Sequence, residues 1–500
     1  MACLIAAPSS GSGKTLLSLV LAALARRRGL RLQPFKVGPD YLDAQLLGQV
    51  SGIDCRNLDP LLCGEDWVQR SFRWHGSRAD LVLVEGVMGL FDGLGSSSRG
   101  SSAAVASLLG LPVVLLVEAS RQAGSLAALV RGFRDHGRDL AGGPVRLAGV
   151  VLNRVNSTRH RLLLSEALAG IGVPLLGVLP SAPALELPSR HLGLHPPHEL
   201  ADLQGRQAAW AALAEAHLDL DQLWPLLGPA PAPPDRLDPI RWCLQSLAAV
   251  AGPAEAPAPD PQTVAVASDA AFHFRYPEAG ELLRALGLEP VPWSPLADAP
   301  LPAGSRAVIL PGGYPELHAA QLAASGRSLA ALRSAVHGAL PIVAECGGLL
   351  LLGHTLHDPL GGAHRLAGVL PFSAARGDLS LGYRRATASS DGLLLRRGEQ
   401  VWGHEFHRWQ LQPLPPTAGL EAMGSGGELW QVEGWGVPAR AEGWTAPNVH
   451  ASWLHLHWAG CPAIPSRLAA ACGRAAPLPA SAASCSPASP APLPPVSAGA

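Results

Sequence analysis

The sequence predicts an α/β chain made of two units, each built around a largely parallel sheet. Three features predict it: short apolar runs alternate with helical stretches over the first 200 or so residues, a Pro/Ala-rich segment interrupts them, and a second alternation begins at Thr263. Continuous apolar strands separated by helices mark parallel sheets covered on both faces. A length of 500 residues also exceeds one ordinary domain.

Taken in order, Ala2–Ala6 reads as a strand and Thr15–Arg28 as a helix with Leu and Ala on most faces. Strands follow at Leu32–Lys36, Leu81–Glu85, Val113–Glu118, Leu147–Leu152 and Pro174–Leu179, closing a first domain over residues 1–227. Residues 228–262 shift to Pro and Ala around a short helix, Pro239–Val250, and read as a stiff linker. The second domain, residues 263–460, opens with a strand at Thr263–Ala267 and a helix at Pro277–Leu286. It continues with strands at Ala307–Leu310 and Pro341–Ala344. Residues 461–500, rich in Pro, Ala and Ser, are expected to form a disordered tail.

Composition excludes several classes. A formal net charge of -1 and the lack of a basic run interleaved with aromatics argue against nucleic acid. Eight scattered Cys without a CxxC pair suit free thiols in a reducing cytoplasm. The apolar start lacks a basic flank and runs into a phosphate-loop pattern, so no targeting segment is expected. No apolar run reaches the ~20 residues a membrane span needs.

Two groups of residues carry chemistry. Pro8-Ser9-Ser10-Gly11-Ser12-Gly13-Lys14-Thr15 lies between a strand and a helix, the context of a Walker A loop. Backbone N–H groups of Ser10, Gly11, Ser12 and Gly13 would cradle phosphates, Lys14 would reach the outer ones, and Thr15 would ligate Mg²⁺. Phe35-Lys36-Val37-Gly38-Pro39-Asp40-Tyr41-Leu42-Asp43 and Leu83-Val84-Glu85 place Lys36, Asp40, Asp43 and Glu85 at strand ends, where parallel sheets bind ligands. A hard cation would take those carboxylates. Taken singly, either segment also reads as a solvated loop.

The second group centres on Cys346. Val308–Leu310 runs into Gly312-Gly313, and Pro341–Glu345 runs into Cys346-Gly347-Gly348. A thiol on such a turn, at a helix N-terminus, is expected to have a lowered pKa. Backbone N–H groups of Gly312, Gly313 and Gly347 would form an oxyanion hole. Among His450, His455 and His457, His455 is the candidate base. The other free cysteines read as core.

These motifs resemble the cobyrinic acid a,c-diamide synthase family over about residues 1–460. The resemblance rests on IAAPSSGSGKT, LQPFKVGPDYLD, NLDP, LVLVEGVMGLFDG, LNRVNS, LPSRHLGLHPPHE, DAAFHFRYPE, PGGYPELHA, AECGGLLLL, GHEFH and ASWLHLHW. It implies a dethiobiotin-synthetase-like P-loop domain plus a triad-like class I glutamine amidotransferase domain. It also implies ATP with Mg²⁺, glutamine as nitrogen donor, a corrin-type tetrapyrrole substrate, and a homodimer. Carried over by position, Lys14, Thr15, Asp40 and Glu85 would serve ATP and metal, with Asn153 beside the nucleotide. Cys346 would be the nucleophile and His455 its base, while Asp40 and Asp43 would face the reacting carboxylate. Tyr41, Asp43, Arg190 and His191 are candidates for the tetrapyrrole pocket.

The sequence departs from the family pattern at Glu118, where Asp is more usual, and at Trp453, where Tyr is. His457 stands where related glutaminases carry the triad acid. Sister amidases acting on hydrogenobyrinic acid or nickel-sirohydrochlorin, or forming cobyric acid, are alternatives. So is a P-loop regulatory ATPase fused to an inactive glutaminase-like domain.

Overall fold

A computed structural model describes residues 2–137, 143–185, 187–190, 193–200, 202–251, 260–414 and 427–478. The first sheet contains β1 (Cys3–Ala6), β2 (Leu32–Val37), β3 (Arg56–Leu58), β4 (Leu81–Glu85), β5 (Val113–Glu118), β6 (Leu147–Asn153) and β7 (Leu175–Leu179). They lie in the order β3-β2-β4-β1-β5-β6-β7, and every pairing is parallel. Nearly all their residues are buried, because helices cover both faces. Helix α1 (Lys14–Arg27) shows why: Leu17, Leu19, Leu21 and Leu24 are all sealed in the core. Burying one such side chain stabilises by about 1.5–3 kcal/mol. Helix α2 (Leu42–Ser51) follows β2 and ends on Gly52. A two-residue ribbon, β8 (Ser189–Arg190) and β9 (Gly193–Leu194), closes this part.

The second sheet begins with β10 (Gln262–Ala267), β11 (Leu288–Trp293), β12 (Ala307–Leu310) and β13 (Ile342–Glu345). It continues with β14 (Thr355–His357), β15 (Ala363–Arg365), β16 (Phe372–Ala388), β17 (Gln400–Pro413), β18 (Gly427–Gly434), β19 (Val437–Ala446) and β20 (Val449–Ser452). Strands β11-β10-β12-β13-β20 are parallel. Beyond β20 the sheet turns antiparallel through β19, β18, β16 and β17. That long extension escapes a reading of the sequence by alternating units.

Two boundaries need correction. The expected disordered tail contains a helix, Ala463–Arg474, whose Ile464, Leu468 and Cys472 are fully buried. An apolar residue every four positions gives it one core-facing stripe, which outweighs its Ala-rich composition. The short helix expected within the linker is present as Pro239–Ala251, but its Ile240 and Cys243 pack in one cluster with Trp67 and Val264, so it belongs to a core shared by the two units.

The sheets are joined by specific contacts. Arg56 of β3 lies 2.6 Å from Glu281 and 3.3 Å from Glu278. The Gln45 amide donates to the His273 carbonyl at 2.6 Å, and Tyr383 OH donates to Asp59 at 2.8 Å. These contacts join the two units through their loops, helices and strands β3 and β16.

Candidate active site

The phosphate loop leaves β1 and enters α1 at Gly13, whose φ of 109° a side chain rarely adopts. Ser10 and Gly11 are exposed at its tip. Lys14 Nζ donates to the Ser9 carbonyl at 3.2 Å and the Met88 carbonyl at 2.6 Å. Burial, then the charge of Lys36, lowers the Lys14 ammonium to about 8. Asn153, at the end of β6, donates to the Ser12 carbonyl at 2.9 Å and so braces the loop from beneath.

Behind the loop, Lys36 Nζ lies 2.6 Å from Asp43 and 2.7 Å from Glu85. Thr15 Oγ1 is 2.9 Å from Glu85 Oε1 and 3.2 Å from Asp43 Oδ2. Asp40 is placed differently: its Oδ1 accepts from the Asp43 backbone N–H at 2.9 Å. The structure thus gathers Thr15, Asp43 and Glu85 around Lys36, with Asp40 alongside. Lys36 is desolvated by burial, yet Asp43 and Glu85 hold its ammonium well above the ordinary value. Burial and the adjacent Asp43 charge raise Asp40 to about 7. Asp43 is itself desolvated, but Lys36 draws its carboxyl below the usual range.

One ammonium therefore serves more than one buried carboxylate, and Glu85 Oε2 is buried without a hydrogen-bond partner. That orphaned oxygen beside the Thr15 hydroxyl suits Mg²⁺, a hard cation held by few protein ligands plus phosphates and water. Among the described residues no cluster of three or more His, Cys, Asp or Glu forms a ready cage for a metal. A nucleotide-borne ion does not need one.

In the second unit, Cys346 sits between β13 and the helix Gly347–Leu352 at φ 48°, ψ -107°. Such a conformation in a non-glycine residue stores roughly 1–3 kcal/mol. Its N–H donates to the Ser452 carbonyl of β20 at 2.7 Å, which holds the turn. Gly348 permits the tight packing behind it, since a Cβ there would lie 2.0 Å from the Leu310 carbonyl oxygen. Cys346 is 5% exposed, and burial pushes its thiol pKa up, with Glu316 adding to the rise. This overturns the expectation of a lowered pKa. A six-residue helix and the Gly347 N–H do not offset desolvation among carboxylates.

His455 is buried, and burial first, then His404 and His407, lowers its imidazole to about 3. It is thus neutral and able to take a proton, and its Nδ1 has no hydrogen-bond partner. Its ring packs against Gly312 by its Cε1 edge, where a Cβ would come within 2.4 Å of Cε1. A Cβ on Gly347 would in turn lie 3.0 Å from the Gly313 nitrogen. The Gly-Gly turn after β12 therefore packs against both the His455 ring and the Cys346 turn. His457 does not orient His455: its Nε2 stands 3.6 Å from Glu278, and its ring packs on Tyr276 at 4.4 Å.

Three openings meet this region. A cavity of about 30 Å³ borders Cys346, Gly313, Glu316 and His407. One of about 510 Å³ borders Asp40, Asp43 and Met88 on one side and Tyr383, His404 and His455 on the other. A cleft of about 940 Å³ reaches Glu345. Tyr41 stands where the units meet, 5.2 Å from the His455 ring. The Arg190 side chain and His191 lie outside the described residues.

Sequence reasoning gave no role to Glu345, whose carboxyl is raised by burial to about 8 although the Leu456 N–H and Trp458 donate to it. It also missed Glu405, which is clamped by Arg384 at 2.7 Å, Arg440 at 2.5 Å and His407 at 2.9 Å. The dense aromatic and charged blocks HFRYPE and GHEFH were the available signal.

Comparison with known proteins agrees with this two-centre geometry. Residues 3–194 match the CobQ/CobB/MinD/ParA nucleotide binding domain, and residues 263–462 match the CobB/CobQ-like glutamine amidotransferase domain. The cobyrinate a,c-diamide synthase of a Synechococcus strain is 40% identical, over 95% of this chain and 99% of the relative. The chain belongs to the a,c-diamide synthase family. Another member, the cobyrinate a,c-diamide synthase of Gloeobacter violaceus, is 42% identical over 92% of this chain and 94% of its own. The hydrogenobyrinate a,c-diamide synthase of Streptomyces coelicolor is 40% identical over 94% and 96%. Relatives named for cobyrinate and for hydrogenobyrinate are thus about equally similar to this chain. No helix among the described residues is long and apolar enough to cross a membrane.

Proposed function

We propose that this chain uses ATP and glutamine to convert the a and c side-chain carboxylates of cobyrinic acid into primary amides. The observation that carries the reading is the 510 Å³ cavity with the Asp40–Asp43 corner on one wall and His455 on the other. A resonance-stabilised carboxylate is a poor acyl donor, so it must first be activated. One oxygen of it attacks the γ-phosphorus of ATP, ADP leaves, and an acyl phosphate forms. Lys14 and Lys36 offset the charge that builds on the phosphoryl oxygens. Thr15 and Glu85 would hold Mg²⁺, which would supply positive charge against the phosphates.

In the other unit, Cys346 Sγ attacks the side-chain carbonyl carbon of glutamine as its proton passes to neutral His455. N–H groups of Gly313 and Gly347 stabilise the oxyanion. As the C–N bond breaks, the proton from His455 goes to the departing nitrogen and ammonia leaves. Water then cleaves the thioester to glutamate and restores the thiol. Ammonia attacks the acyl phosphate, the C–N bond forms, phosphate departs, and the surplus proton passes to a carboxylate. Asp40, raised to about 7, exchanges a proton readily near neutral pH.

The free thiols and the resemblance support a cytoplasmic homodimer. Incubation with cobyrinic acid or its metal-free analogue, ATP and glutamine, followed by mass spectrometry, tests the reading. A diamide from cobyrinic acid is expected. Turnover of the metal-free ring alone would reassign the substrate, and no amide from either would refute the proposal.

A further inference from the structure

Phe274 borders all three cavities: the 30 Å³ one at Cys346, the 510 Å³ one at Asp40 and Asp43, and the 940 Å³ cleft that reaches Glu345. Its ring stacks on Tyr41 at 5.2 Å and 7° and meets Tyr314 edge-on at 5.1 Å and 79°. Its backbone N–H donates to the Gly312 carbonyl at 3.0 Å, which ties it to the turn beside His455. Tyr314 and Phe406 also border both the Cys346 cavity and the Asp40–Asp43 cavity, but not the cleft. The Cys346 sulfur lies 3.8 Å from the Phe406 carbonyl.

We infer that ammonia made at Cys346 crosses the wall of Phe274, Tyr314 and Phe406 into the Asp40–Asp43 cavity, with Phe274 positioned to close the path to the cleft. This rests on the amidotransferase reading above. A cavity of about 30 Å³ has room for a molecule the size of water or ammonia. An apolar aromatic wall passes neutral NH₃ and resists NH₄⁺, whose desolvation is costly. That selects the species with a free lone pair, the one able to attack an acyl phosphate. Ammonia escaping to the cleft and then to solvent would be protonated and diluted. Two residues besides Phe274 are shared between the Cys346 cavity and the Asp40–Asp43 cavity, whereas Phe274 alone is shared with the cleft. The geometry therefore favours the first route.

The test compares full-length wild type, Phe274→Ala and Phe274→Leu, with glutamate released per amide formed as the readout. Amide formation from saturating ammonium and thermal melting are measured in parallel. Phe274→Ala is expected to raise the glutamate-to-amide ratio severalfold. Its glutaminase rate and its ammonium-driven rate should stay close to wild type, and Phe274→Leu should keep a ratio near wild type. A merely structural role would lower every rate together and leave the ratio unchanged. Should Phe274→Ala not fold, Phe274→Val, a smaller truncation of the same side chain, is expected to raise the ratio in the same way. An unchanged ratio in a folded Phe274→Ala or Phe274→Val enzyme overturns the inference. If wild type itself makes no amide from glutamine, the underlying functional reading fails first, and the two failures are told apart.

Discussion

Lys36 and Glu85 face each other across β2 and β4, with Nζ 2.7 Å from Oε1 and both side chains sealed from solvent. The same ammonium reaches Asp43 at 2.6 Å, so one lysine stabilises both carboxylates of the acidic corner.

Replacing Lys36 with Met leaves two carboxylates without their cation. Removing one partner of a buried ion pair costs about 3–5 kcal/mol. Urea denaturation should show that loss. Amide formation should fall with glutamine and with ammonium alike, while glutamine hydrolysis continues.

Arg56 forks onto Glu281 and approaches Glu278 across the two sheets. Arg56→Met should therefore loosen the assembly of the centres rather than either centre alone. Separate glutaminase and ammonium-driven assays should change little, and glutamine-driven amide formation should drop by severalfold.

Glu345 precedes the nucleophile, and burial raises its carboxyl to about 8. A carboxyl whose folded pKa lies above its unfolded value binds its proton more tightly in the fold. Its contribution is fully present below the unfolded pKa and is lost as pH rises through about 8. Wild type should lose stability between about pH 5 and pH 9, and Glu345→Gln should lose less. Urea midpoints across that range decide it, and equal slopes for the two proteins would contradict the assignment.

Gly348→Ala would put a methyl 2.0 Å from the Leu310 oxygen, so the backbone of the Cys346 turn must shift. Glutaminase activity should fall by about a hundredfold, in line with the cost of misplacing a reacting group by an ångström. Ammonium-driven amidation should persist, and the two assays run side by side check this.

The parts of the site legible in the sequence are those fixed by local context. Gly13-Lys14-Thr15 between a strand and a helix, Glu85 at the end of an apolar run, and Cys346 in a strand-to-helix turn each need only their neighbours. What escaped depends on distant pairing or on burial. The bridge between His404 and His455 that brings the GHEFH strand to the site joins segments with no local signal for each other. The helix after Cys346 predicts an acidic thiol, but its buried surroundings win. Ala, Pro and Ser around the helix Ala463–Arg474 predict a tail and mask its Ile464, Leu468 and Cys472 stripe.

The division of labour between a sulfur that releases nitrogen and a nucleotide pocket that activates an acid is tested most directly by Cys346→Ser. With ATP and a tetrapyrrole substrate, the variant should make no amide from glutamine yet retain near-wild-type amide formation from ammonium. Loss of both activities in a folded protein, or retention of the glutamine-driven one, would contradict the account.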